Sequence, residues 1–88
     1  MMVPTLHLNG TSRVELLNQQ LEALQALRLA RLAMRAAAPN GRDYYPQGKG
    51  AFEKADSEHA ARVRAIDDLL TNLEALAMAI SDGGYVRP

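Results

Sequence analysis

No cysteine occurs among the 88 residues. That excludes a disulfide framework and any thiolate-held zinc site, and it removes the commonest reinforcement of a short chain. Neither charge sign is in excess, because ten Lys or Arg balance ten Asp or Glu. No net field therefore draws the chain onto a nucleic-acid polymer or an anionic membrane. No apolar run approaches the ~20 residues of a membrane span, and Met1–Leu8 lacks the basic start and apolar stretch of a secretion signal. With cysteine missing as well, the expected location is the cytoplasm of a bacterial cell. Catalytic signatures are also absent: there is no Walker loop, GxGxxG, zinc pattern or nucleophile elbow. His7 and His59 are 52 positions apart with no carboxylate spacing suited to a metal. The expectation is a protein without metal, cofactor or enzymatic activity.

What the chain does have is helix-forming sequence. Pro4 and the flanking Leu6 and Leu8 suit an extended arm over residues 1–11, which turns at Asn9-Gly10. Ser12 with Glu15 has the spacing of a capping box, so a helix should start at Arg13. It runs through Leu, Ala, Gln, Glu and Arg and must end by Ala38, since Pro39 disfavours helical geometry in the residue before it. Residues 39–50 are dense in Pro, Gly and Asn and read as a structured loop. A second helix follows over 51–80, ended by Ser81-Asp82-Gly83-Gly84, with a tail over 81–88. The expected fold is all-α, an antiparallel two-helix hairpin in one domain. A chain this short buries only about 60–65% of its unfolded surface, so association into a helical-bundle homo-oligomer is the expected reinforcement.

The second helix carries a regular 3-4 spacing: Phe52, Asp56, His59, Val63, Ile66, Leu70, Leu73, Ala77, Ile80. The matching positions of the first are Val14, Leu17, Leu21, Leu24, Arg28, Arg31 and Arg35. Folding at the loop sets Arg35 near Asp56, Arg31 opposite His59 and Arg28 opposite Arg62 or Val63, with the leucines meeting Ile66 to Ala77. Three arginines on one seam are expensive unless something neutralises them. Three partners are open: internal carboxylates such as Glu53, Asp56 and Glu58, a bound anion, or an acidic surface of another protein. Between Arg28 and Arg64 eight basic residues stand against four acidic ones, so that half is electropositive. Leu16, Leu27 and Met34 with Leu32 to one side, and Leu69 and Leu76 of the second helix, are left over after the seam is built and form the expected oligomer face. Asp67-Asp68 reads as a solvated edge.

The loop Asn40-Gly41-Arg42-Asp43-Tyr44-Tyr45-Pro46-Gln47-Gly48-Lys49 sets two tyrosines beside two cations. Tyrosines can stack on a flat ring while Arg42, Lys49 and the N–H groups opening the second helix hold phosphate oxygens. With the seam arginines this gives a candidate ligand site of Arg28, Arg31, Arg35, Arg42, Tyr44, Tyr45, Gln47, Lys49 and His59 for a small anionic, nucleotide-like molecule. The competing reading is that Tyr44 or Tyr45 plugs the open end of the bundle.

The segments His7-Leu8-Asn9-Gly10-Thr11-Ser12 and Asn40 to Gly48, joined by a Leu/Ala/Arg helix, resemble small proteins encoded by tailed phages and prophages. The resemblance covers most of the chain, is carried by the two loops, and transfers no catalytic residue. By looser analogy, compact helical oligomers of phages sequester cyclic nucleotide signals of bacterial immunity, which would make this chain an anti-defence protein. The alternative is a virion-assembly or host-takeover adaptor that grips another protein with its loop and arm.

Overall fold

The computed structural model describes residues 1–83. Two helices dominate it, α1 (Arg13–Ala36) and α2 (Ala51–Ser81), which pack against each other as an antiparallel hairpin with no sheet among the described residues. Of the tail expected over 81–88, Ser81 is the last residue of α2 and residues 84–88 lie outside the described residues. At about 1.5 Å per residue the helices are roughly 36 and 46 Å long.

Each helix end has a local cause. Ser12 is extended, and its hydroxyl accepts from the Glu15 N–H at 3.2 Å. The return half of the box, from the Glu15 carboxylate to the Ser12 N–H, is not formed. At the other end the Ala37 N–H is shared between the Ala33 and Met34 carbonyls, both at 3.1 Å. This tightening of the last turn ends α1 at Ala36, before Pro39 could. The loop then makes two single 3-10 turns, Gly41–Asp43 and Tyr45–Gln47, the first started by the Asn40 side chain accepting from the Arg42 N–H at 3.1 Å. Gly48 and Gly50 have φ of 103° and 88°, a region other residues occupy only under strain, and Gly50 leads directly into α2 without a side-chain cap.

The α2 seam is the one expected. Leu70, Ala77, Ile80 and His59 are buried, Phe52, Val63, Ile66 and Leu73 are half-buried, and only Asp56 of that series is exposed. The α1 seam is rotated from the expected one. Its inward positions are Arg13, Leu17, Gln20, Leu24, Leu27, Arg31 and Met34, so 14, 21, 28 and 35 are each replaced by the preceding residue. Val14 and Leu21 are left 67% and 48% exposed, while Leu24 is 2% exposed at the centre of a cluster with Leu70 and Ala77, packed by Leu17, Leu27, Ile66 and Leu73. At the C-terminal half of α1 the rotation has an electrostatic reason: it turns Leu27 and Met34 inward in place of Arg28 and Arg35, and desolvating a guanidinium costs several kcal/mol whereas exposing a leucine costs only about 1.5–3. At its N-terminal end the same rotation brings Arg13 inward in place of Val14.

The register also differs. Arg31, expected opposite His59, reaches Asp67, eight residues further along α2, a shift of about two turns or ~12 Å. Ala36 is then level with about residue 62 of α2, so the first turns of α2 run past the end of α1 beside the loop. The result is elongated, 66 × 20 × 18 Å with a radius of gyration of 19.3 Å, against about 12 Å for a compact chain of this length.

Candidate functional site

Two places could carry function: the ion pairs along the hairpin and the pocket where the loop meets α2. Along the hairpin, Asp67 and Glu74 are seven residues apart on one stripe of α2, and Arg28 and Arg31 stand on the facing edge of α1. Arg31 donates from Nε to Asp67 Oδ1 and from Nη2 to Oδ2, the latter at 3.2 Å, in a bidentate grip. These hydrogen bonds, helped by charge attraction and opposed by burial, hold the Asp67 carboxyl below the ordinary carboxylate range. The same bonds raise the Arg31 guanidinium. Arg28 Nη2 meets Glu74 Oε1 at 3.3 Å with both side chains more than half exposed.

These pairs correct two sequence expectations. Asp67 is not a bare solvated edge, and the carboxylates that answer the arginines are Asp67 and Glu74 rather than Glu53, Asp56 and Glu58. The reason is the register: with α2 displaced by two turns, the expected acids lie beyond the end of α1.

At the loop end, an open pocket of about 340 Å³ is lined by the aromatic side chains Tyr44, Tyr45 and Phe52, by Lys49 and Glu53, and by Gly41, Gly48 and Gly50. The two 3-10 turns set the tyrosines one after the other, Tyr44 half-buried and Tyr45 78% exposed. Chemically this is an aromatic-lined pocket with one cation and one anion among its lining residues.

The nine candidate ligand residues therefore do not form one constellation. Tyr44, Tyr45 and Lys49 line the pocket; Arg42 and Gln47 are exposed on the two loop turns, and Arg35 is exposed on the last turn of α1. None of Arg35, Arg42 and Lys49 forms an ion pair with a described residue. Arg28 and Arg31 are elsewhere, for Asp67 lies fifteen residues beyond Phe52, about 22 Å along α2. His59 is buried with its Nε2 unpartnered and is not part of the pocket wall. Phe52 and Glu53 were missed as pocket residues, since the seam pattern had already given Phe52 a packing role. A matching signal for the ion pairs did exist in the seven-residue spacing of Asp67 and Glu74. Among the described residues no three His, Cys, Asp or Glu side chains cluster as metal ligands, and no helix is long and apolar enough to cross a membrane. The chain matches no protein-family model, no curated protein and no solved structure.

Proposed function

We propose that the chain is a non-enzymatic protein-association module, a charge-stapled helical hairpin whose work is to dock on protein surfaces. The observation that carries this reading is the thinness of the core. Among the described residues five apolar side chains are buried, Leu6, Leu24, Leu70, Ala77 and Ile80, while Val14, Leu29, Leu32 and Met78 are more than 60% exposed. A two-helix layer covers one stripe of each helix, and the remaining apolar surface is what a partner would cover. The loop resemblance to phage and prophage proteins would make that partner a virion component or a host protein.

The pocket beside Tyr44, Tyr45 and Phe52 favours a second reading, a small anionic, nucleotide-like ligand stacked on the loop and held by Lys49. That reading no longer draws on Arg28, Arg31 or His59. Calorimetric titration of the parent protein and of Lys49→Ala by cyclic and linear nucleotides separates the two. The association module predicts no heat from any nucleotide. Saturable nucleotide heat that Lys49→Ala weakens would refute the association module and establish the ligand site.

A further inference from the structure

Aromatic side chains are few in this chain, and the core does without them. The sequence has three Tyr and one Phe, and the buried apolar residues that are described are Leu, Ala and Ile only. Aromatics dominate the energetics of cores and interfaces because of the area each one covers. Here Tyr44, Tyr45 and Phe52 are gathered instead at one open pocket beside the loop, with Tyr45 78% exposed. Such a placement serves recognition rather than packing.

Volume and charge narrow the occupant. About 340 Å³ lies at the low end of the ~300–1,000 Å³ of small-molecule pockets, a size suited to one long side chain. Glu53 and Lys49 are exposed, and neither has an ion-pair partner among the described residues. Arg42, two residues before the first tyrosine, does not line the pocket, so the chain's own guanidinium leaves the space to another group.

The sign of that group follows from its neighbours. A cation is attracted to the face of an aromatic ring and to a carboxylate, so the three rings and Glu53 favour it and Lys49 alone opposes it. For an anion the count is reversed. Lys49 has a flexible stem that can carry its ammonium out to water, whereas Glu53 stands on the first turn of α2. Residues 39–56 hold Arg42, Lys49 and Lys54 against Asp43, Glu53 and Asp56, and this balance leaves no local field to override the choice.

Hydration then separates the two cationic side chains. An open pocket strips little water, and a lysine ammonium holds its water strongly. A guanidinium is weakly hydrated, stacks flat on a ring, and donates two parallel hydrogen bonds to one carboxylate. Tyrosine and arginine are also the side chains most enriched where interfaces gain their binding energy. We infer that the loop pocket is the anchor site for an arginine side chain of a protein partner, with the guanidinium stacked on Tyr45 and held by the Glu53 carboxylate. The inference rests on the association reading and names the group by which the partner is gripped.

Titration of the parent chain with N-acetyl-arginine amide, followed by NMR of the Tyr and Phe ring protons, tests it, with the lysine and norleucine analogues as controls. A lone side chain should bind only in the millimolar range. The arginine probe should shift the pocket's ring signals saturably, the lysine probe less, and the norleucine probe not at all. Glu53→Gln and Tyr45→Ala, both at exposed positions, should keep the helical circular dichroism of the parent and weaken binding roughly two- to fivefold. Lys49→Ala should tighten it, the opposite of what a nucleotide held by Lys49 requires. No saturable shift with arginine, equal shifts with norleucine, or a Glu53→Gln chain that binds as well as its parent would each overturn the inference. If nucleotides give no heat either, the inference alone falls and the association module keeps its partner on other faces. If a nucleotide binds and Lys49→Ala weakens it, the module falls and the inference with it.

Discussion

Leu24 and Leu21 are three residues apart on α1 and would be interchangeable on the expected seam, yet the rotated packing buries one and exposes half of the other. Leu24→Ala removes three carbons from a site 2% exposed. At ~0.8 kcal/mol per carbon the lost transfer energy is about 2.4 kcal/mol, and the cavity between Leu70 and Ala77 raises the total toward about 5. Leu21 is 48% exposed, so the same truncation forfeits about half the transfer energy, leaves no closed cavity and regains a little helix propensity, for a cost near 1 kcal/mol or less. A chain of this size has a total stability of only about 4–13 kcal/mol. At ~4–8 °C per kcal/mol, Leu24→Ala should melt at least about 10 °C below the parent and Leu21→Ala within about 8 °C of it. Thermal unfolding followed by far-ultraviolet circular dichroism, at one fixed protein concentration, measures both. Equal losses at the two positions would show that α1 is not rotated, and the account of its electrostatic cause would fall with it.

The lowered Asp67 pKa gives a pH dependence of definite sign: its contribution is complete above the ordinary value of 3.8 and disappears as pH falls through the lower folded value. The stability advantage of the parent over Asp67→Asn should therefore be constant from neutral pH down to about 4 and shrink below it; an advantage that vanishes already between pH ~7 and ~5 would point to another group. Gly50, at φ of 88° at the head of α2, should not tolerate a side chain: Gly50→Ala should cost about 1–2 kcal/mol in urea unfolding, and a neutral result would mean the loop enters α2 by another path.

The elements were legible in the sequence because their causes are local. Ser12, Pro39, the glycines of the loop and the long run of helix formers place α1 and α2 within two residues of their ends, and the 3-4 pattern of α2 identifies its buried face from His59 to Ile80. α2 is unambiguous because one stripe of it, from Val63 to Ile80, is apolar at every 3-4 position, whereas Leu69 and Leu76 beside it make no such continuous series. In α1 two seams offset by one residue compete, Val14-Leu21-Arg28-Arg35 and Arg13-Gln20-Leu27-Met34. Local pattern ranks the first higher at its N-terminal end and the second at its C-terminal end. The choice is made by energies that exist only once α2 is in place: Arg28 and Arg35 leave the seam while only Arg13 enters it, and Glu74 and Asp67 come within reach of Arg28 and Arg31. Register had the same dependence. A loop of fourteen residues between Ala36 and Ala51 allows α2 to slide by turns at little cost in chain entropy, so the packing of Leu24 with Leu70 and Ala77 and the grip of Arg31 on Asp67 decided where it stopped. That slide also separated the arginines from the tyrosines, which is why composition placed them in one site and the folded chain does not.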